Sequence, residues 1–280
     1  MEIGSRLAPS QALNQLFSGI SVMEQNKRWT RMREEGLSDV EIDHLARQGW
    51  TGPFALCAVE DMALVRKRIL DEVIAITPSV ATNEDVLRSR HMDSPVVREI
   101  CRSVAIVERL RSVLGDDILL WNTYFWNKLP GSLGVGWQQD LFFYSIDPSL
   151  TLSVWLAVDS TDPANGCLRL IPGSHRFDAP HIPTDGTSAF TMVIDSSVVE
   201  LGASIDVPLE AGQFIIFDGR LIHSSYPNRT SNTRLGLALR VTFPHVRISH
   251  ESPPLFAGHR AILLSGQDRY GHNQLMDAID

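Results

Sequence analysis

A chain of 280 residues is long enough to bury a sizeable core and fits one elaborated domain better than two small ones. Apolar side chains make up 44% and charged ones 21%, a balance richer in hydrophobic material than chains that fail to fold. With 25 Lys and Arg against 33 Asp and Glu the formal charge is −8, which repels phosphate backbones and argues against nucleic acid as a partner.

Membrane association is not expected either. The longest apolar runs, such as Leu152 to Val158 with Ser153 inside it, fall well short of the ~20 residues that cross a bilayer. The opening Met1-Glu2-Ile3-Gly4-Ser5 lacks the basic patch and apolar stretch of a secretory signal, so a cytoplasmic location is expected. Cys57, Cys101 and Cys167 are odd in number and widely spaced, as reduced thiols are.

Taken in chain order, the first third reads as helical. Ser38-Asp39-Val40-Glu41 is a capping-box pattern that opens a helix running through His44 and Leu45 towards Gly49. Met62, Val65, Ile69 and Val73 recur at helical spacing, and so do Val97, Ile100, Val104, Val107 and Leu114 before a stop at Gly115. Beyond residue 116 the period changes to two. Strands are predicted near 118–128, 151–158, 167–171, 205–209, 213–217, 220–224 and 234–243, with turns at 162–166 and 210–212 and a long irregular insertion at 175–200. Strands that follow one another without helices between them imply antiparallel β-structure. We therefore expect a single domain over 1–280, with a mainly helical part at 1–115, a β core at 116–245 and a C-terminal extension at 246–280.

Alternation also separates the faces of two strands. Leu152, Val154, Leu156 and Val158 share one face, and Thr151, Ser153, Trp155 and Ala157 the other. Near the end of the core, Leu235, Leu237, Leu239 and Val241 oppose Arg234, Gly236, Ala238 and Arg240. That second face is small or cationic. It suits the inner wall of a barrel that takes an anion, and equally a wall turned to solvent; parity alone does not choose.

Three segments carry candidate chemistry: Gly136-Trp137-Gln138-Gln139-Asp140, the run Asn165 to His175, and His223-Ser224-Ser225-Tyr226-Pro227-Asn228 followed by Arg234. With Arg90-His91-Met92-Asp93-Ser94 and Lys128-Leu129-Pro130-Gly131 they resemble, from about residue 38 to 244, the phytanoyl-CoA dioxygenase family of iron(II)/2-oxoglutarate oxygenases. The resemblance implies a mainly β fold with N-terminal helices, the double-stranded β-helix of jelly-roll or cupin type. It also implies iron(II), 2-oxoglutarate and O2 as cofactor and cosubstrates. Its metal ligands, a His-x-Asp pair and a distant His, fall here on Gln138, Asp140 and His223, so the first imidazole is replaced by a carboxamide. Its carboxylate-gripping cation falls on Arg234, eleven residues after His223, with Arg240 as a rival of equal parity. By the same resemblance Tyr124, Trp155 and Ser225 contact the cosubstrate, and Asp140, His223 and Arg234 form the catalytic set.

A carboxamide oxygen is neutral like imidazole but a weaker donor to iron(II), so metal affinity should fall. Gln138 as a ligand, a water or another side chain in its place, and a site that has lost iron chemistry all remain open. Retention of Asp140 argues for oxygen transfer rather than halogen transfer, since halogenases of this superfamily have a small residue there. The implied activity is hydroxylation of a small organic molecule, with a leaning towards secondary metabolism. The alternatives are a non-catalytic or impaired 2-oxoglutarate-binding homologue, or an oxygenase that desaturates, epoxidises or cyclises. Substrate contacts are expected from Leu141 to Tyr144 and from the 175–200 insertion. His91-Met92-Asp93 reads as structural, and His175 as a loop residue near the pocket.

Overall fold

The computed structural model describes residues 36–74, 87–184, 186 and 188–277; the parts of the expected helical region at 1–35 and 75–86 lie outside it. Helix α1 (Asp39–Gln48) begins with the predicted capping box. Glu41 Oε2 accepts from the Ser38 amide at 2.7 Å while the Ser38 side chain accepts from the Glu41 amide, and Gly49 closes the helix at φ 79°. Helix α2 (Val59–Ile69) runs into one π-helical turn, Leu70–Ile74. The periodicity read as one helix to Leu114 is two, α3 (Pro95–Cys101) and α4 (Val104–Leu114), because Ser103 leaves helical geometry at ψ 139° and restarts the chain on a new axis.

Fourteen strands follow among the described residues, and two sheets hold most of them. The larger sheet has the order β1 (Trp50–Ala55), β10 (Gln213–Asp218), β5 (Leu152–Ala157), β12 (Arg234–Thr242), β2 (Ile118–Lys128) and β14 (Ile262–Ser265). The smaller has the order β3 (Val135–Gln138), β11 (His223–Ser225), β6 (Leu168–Leu170) and β9 (Ile205–Val207). Short pairs β4 (Ile146–Asp147) with β13 (Arg247–Ile248), and β7 (His181–Pro183) with β8 (Met192–Ile194), complete the set. All main ladders are antiparallel. The two sheets form a double-stranded β-helix.

Two strands of the larger sheet come from outside the expected β core. β1 belongs to the helical part and β14 to the C-terminal extension, and each pairs at an edge of the sheet. The predicted strand at 220–224 is shifted to β11, because Asp218 caps a tight turn: its Oδ1 accepts the Arg220 amide at 2.8 Å and its carbonyl the Leu221 amide at 2.8 Å. The 175–200 insertion is less irregular than expected, since it contains the β7–β8 hairpin.

The faces left open by parity are now assigned. Val154, Leu156, Leu237, Leu239 and Val241 pack outward against Met62, Ile69, Ile100 and Leu110 of the helices. Trp155, Ala157 and Ala238 point inward with Ile215 and Phe217, and meet Leu168, Leu170 and Val207 of the smaller sheet. The small and cationic face is the inner wall. Gly236 matters there: a Cβ on it would lie 2.6 Å from Trp155 Cζ2, so the bare backbone lets the indole lie across β12.

Residues 246–277 are tied to the core through histidines. His250 Nδ1 lies 3.0 Å from His259 Nδ1, the Gln274 amide donates to His250 Nε2 at 3.1 Å, and His91 Nε2 donates to the Arg260 carbonyl at 2.9 Å. The His91-Met92-Asp93 stretch is thus structural, as read.

Two outcomes are expected. Leu237 is fully buried in the helix-facing core, so Leu237→Ala should cost about 2–5 kcal/mol in urea unfolding. Burial holds His91 down to about 4, and burial together with the neighbouring His91 and His250 holds His259 down to about 3. Both are neutral when folded, whereas an unfolded imidazole takes up a proton near 6.5. Stability should therefore fall as pH is lowered from ~6.5 towards ~3, and a urea midpoint at pH 5 below that at pH 7, with a smaller drop in His91→Gln, is the check.

Candidate active site

Gln138 ends β3 directly opposite His223 on β11. Asp140 lies just beyond the end of β3, where it opens a 3-10 turn, Asp140–Phe143. The geometry survives because Gln139 is still extended (φ −117°, ψ 129°), so alternation carries Gln138 and Asp140 to one side. Gln139 points the other way and is clamped: its Nε2 donates to the carbonyls of Phe177 (2.8 Å) and Arg220 (2.6 Å), and its Oε1 accepts from the Ala179 amide (2.9 Å). That clamp fixes the backbone between the two functional side chains.

His223 Nδ1 lies 2.8 Å from the Leu221 carbonyl, which assigns the ring proton to Nδ1 and leaves a lone pair on Nε2. Nε2 faces Gln138 Nε2 at 3.1 Å and Asp140 Oδ1 at 3.8 Å. Burial pushes the His223 pKa down despite the nearby carboxylate, which favours the neutral ring. Asp140 is also buried. Ser153 Oγ donates to its Oδ2 at 2.7 Å and Arg240 Nη2 to its Oδ1 at 2.5 Å. Burial alone would raise the Asp140 pKa, but Arg240, His223 and Ser153 together outweigh it and hold the carboxyl below the ordinary value. It is ionised.

Arg234 stands further along the same face of β12. It is 2% exposed, donates to the carbonyls of Gly166 (2.8 Å) and Trp126 (3.4 Å), and its Cζ lies 5.5 Å from the centre of the Trp155 ring. Among the described residues it has no carboxylate partner, and its Nε has no acceptor. Lys128, opposite it in register, donates to the carbonyls of Leu133 (3.0 Å) and Tyr226 (2.7 Å). Burial and then the Arg234 charge lower its pKa to about 7. A buried cation lacking a counter-charge is costly, and here it sits in the wall of a cleft.

One narrow cleft between the sheets brings together Gln138, Asp140, Trp155, His223, Ser225 and Arg234. Tyr124 is not in its wall; its ring packs on that of Trp126, a wall residue, at 4.8 Å. The sequence reading set Arg234 and Arg240 against each other, yet both line the cleft, one at each end of the Arg face of β12. It missed Ser153, Ser224, Phe217 and the role of Lys128; Ser153 was visible as the Trp155-face neighbour two residues away. From the expected substrate loops, Phe142 stacks on His181 (3.8 Å between centroids, 8° between planes), Phe143 packs on Phe190 at 5.1 Å, and Phe190 on Trp126 at 5.7 Å. His175 is not at the pocket; it docks on the end of α1, its Nε2 donating to the Ala46 carbonyl at 3.2 Å.

Do these side chains suit a divalent metal? The donors available are an imidazole lone pair, an ionised carboxylate and Gln138 Oε1, which is buried with no partner. Rotating the Gln138 amide by half a turn exchanges its oxygen and nitrogen, so oxygen is available beside His223. Among the described residues no three His, Cys, Asp or Glu converge as a metal site, and Gln138 supplies the further buried oxygen donor beside His223 and Asp140. The set fits a borderline-to-hard divalent ion more weakly than two imidazoles and a carboxylate would.

The buried Asp140–Arg240 pair makes a direct prediction. Asp140→Asn leaves Arg240 uncompensated and should cost about 3–5 kcal/mol in chemical denaturation, most of it recovered in the Asp140→Asn, Arg240→Met double variant.

Comparison with known proteins gives a consistent picture. The family model described as phytanoyl-CoA dioxygenase (PhyH) matches residues 58–236. The "Dioxygenase lolE1" of Epichloe uncinata is 30% identical over 166 residues, 59% of this chain, which spans 61% of that relative's length. The ectoine dioxygenase of Nocardia farcinica is 24% identical over 240 residues, covering 75% of this chain and 78% of the relative. A solved structure titled "CytC3 with Fe(II) and alpha-ketoglutarate" superposes with a TM-score of 0.65 at 26% identity, covering 86% of this chain and 93% of the other. Since the family match extends over more than half of the sequence and includes Gln138, Asp140, His223 and Arg234, the chain belongs to the phytanoyl-CoA dioxygenase family of iron(II)/2-oxoglutarate-dependent oxygenases.

Proposed function

We propose that the protein is an iron(II)/2-oxoglutarate-dependent dioxygenase that hydroxylates a small organic molecule. The observation that carries this reading is the buried Arg234, without a carboxylate partner among the described residues, in a cleft that also holds the ionised Asp140 and the Nε2 lone pair of His223. A cosubstrate with a carboxylate at one end and a metal-binding group at the other matches that arrangement.

In this reading Asp140, His223 and Gln138 through Oε1 hold the iron. When bound, the metal supplies activation of O2 coupled to decarboxylation of 2-oxoglutarate. Arg234 takes the distal carboxylate, with Trp155 flanking its guanidinium and Ser225 in the adjoining wall. Tyr124 acts through Trp126 rather than by direct contact. Ser153 and Arg240 hold Asp140 in one orientation, and the Leu221 carbonyl holds the His223 tautomer, as partners of metal ligands do elsewhere. Trp126, Leu168 and Phe217 exclude water from the cleft. The aromatic group of Phe142, Phe143, His181 and Phe190 is placed to meet an apolar substrate. Small-molecule tailoring in secondary metabolism is the role that the family resemblance favours.

A second reading, an impaired or non-catalytic ligand-binding homologue, is favoured by Gln138 and by the engagement of Asp140 Oδ1 with Arg240. The two separate on purified protein. Anaerobic addition of iron(II) and 2-oxoglutarate should produce a charge-transfer absorption, and admission of air should yield succinate; Asp140→Ala should abolish both, and Gln138→His should tighten metal binding by tenfold or more. No succinate from the natural chain, with turnover appearing in Gln138→His, would select the impaired homologue.

A further inference from the structure

Residues 246–277 close over one side of the β core, and three histidines sit in the seam. The extension pairs β14 with β2 and β13 with β4, and its Val246, Ile248, Leu255 and Ala261 share an apolar cluster with Leu119, Trp121 and Ile146. His91 comes from the core side and His250 and His259 from the extension, and all three are buried. His259 is the hub: its ring centre lies 5.2 Å from that of His250 and 5.9 Å from that of His91. His245 and His272 lie apart, around Tyr270.

The hydrogen bonds fix where each proton sits. The Gln274 amide donates to His250 Nε2 at 3.1 Å, so the His250 proton is on Nδ1 and points at His259 Nδ1, 3.0 Å away. His259 accepts there and carries its own proton on Nε2, which is buried near the Trp121 carbonyl without meeting hydrogen-bond geometry. His91 donates from Nε2 to the Arg260 carbonyl at 2.9 Å, and Thr123 Oγ1 lies 3.1 Å from its Nδ1. Each ring is a neutral imidazole in one tautomer. A proton added to His250 Nε2 would face the Gln274 N–H, and one added to His259 Nδ1 would face the His250 N–H; each addition turns an acceptor into a second donor.

The charged groups around the trio do not offset that cost. Asp93 pulls on His91 but is paired with Arg90 at 2.9 Å. Arg98, bonded to the His91 and Met92 carbonyls, and Arg260, beside His250, repel an added proton. Arg88, which holds the Pro254 carbonyl at 2.8 Å, brings a further cation to the seam. The joint is also separable from the barrel, because β14 is an edge strand and the histidine contacts tie the extension to the core rather than one sheet to the other. Gln274 accepts the Ala261 amide at 2.8 Å, so losing its bond to His250 loosens the chain just before β14.

We propose that residues 246–277 form an acid-released strap: in mildly acidic solution, proton uptake by His91, His250 and His259 frees this segment from the core while the two sheets stay folded. Burial holds His91 at about 4, and burial with the neighbouring His91 and His250 holds His259 at about 3. Both stay neutral in the closed form and take up protons on release, so closure is favoured above ~6.5 and loses ground as pH falls below it. Between pH 7 and pH 5 each of the two shifts the closing equilibrium by about twentyfold, and His250, also held down by burial, adds in the same direction. The strap stands independent of the chemistry proposed for the cleft, yet it adjoins it: Trp121, which the strap covers, packs edge-on against Tyr144 at 4.7 Å, and the Arg240 guanidinium lies 5.3 Å from the Tyr144 ring centre.

The test is hydrogen exchange of the full-length protein at pH 7 and pH 5, each peptide's rate divided by its random-coil rate at that pH. Protection over 246–277 should fall at least fiftyfold between the two, while peptides from β5, β10 and β12 stay at least a hundredfold better protected than the strap at both. In His259→Phe, which keeps a flat ring in the seam and takes no proton, the fall should be at least fivefold smaller. His250→Gln, read in the same way, is the second variant, and taking the ratio of the two pH values within each variant keeps a general loss of stability from imitating the effect. A ratio near one in the natural chain would overturn the strap. Exchange of 246–277 in step with the core strands would overturn its local release, and a ratio unchanged in both variants would overturn the histidine trigger.

Discussion

Strand β12 has to satisfy two incompatible surroundings at once, and the site depends on how it does so. All nine of its residues are buried. Its Leu face closes the helix-side core, and its Arg face forms the wall of the cleft. The register with β5 and β2 is consequently rigid, because a slip of one residue would drive arginines into a leucine core and leucines into the cleft. The charged groups of the site are therefore held by hydrophobic packing on the far side of the same strand. The helices that look peripheral to the chemistry supply that packing.

Within this frame the site is a balance of charges rather than a set of ligands alone. In a site with two imidazoles and a carboxylate, the metal provides the positive charge that matches an incoming dianion. Here the cleft wall itself carries positive charge, in Arg234 and in Arg240, the latter paired with Asp140. A carboxamide at Gln138 is a weaker metal donor than an imidazole, and the pairing of Asp140 with Arg240 occupies one of the two carboxylate oxygens.

Much of the fold was legible because its strands alternate strictly. β2 and β12 were bounded within a residue, and the capping box at Ser38 named its helix. β1 and β14 were not seen, since they are short and lie among helices and turns where no run of alternating residues announces a strand; both owe their strand geometry to a neighbouring edge. The break at Ser103 escaped because the apolar positions stay in helical step across it. At the site, Gln138, Asp140, His223 and Arg234 were found by their spacing and likeness to a family, and they do converge. What spacing cannot carry is partnership over long separations. That Arg240 reaches back a hundred residues to Asp140, and that Ser153 shares that carboxylate, follow only from the sheets being brought face to face.

Gly236 carries a last implication. Because it has no side chain, the Trp155 indole lies across β12 between the two arginines' strand positions and forms the partition on which Arg234 rests. A hydrogen atom is all that fits between this stretch of β12 and the indole. Enlarging that one position would push the indole off β12, and with it the aromatic surface beside Arg234, without replacing any charged group.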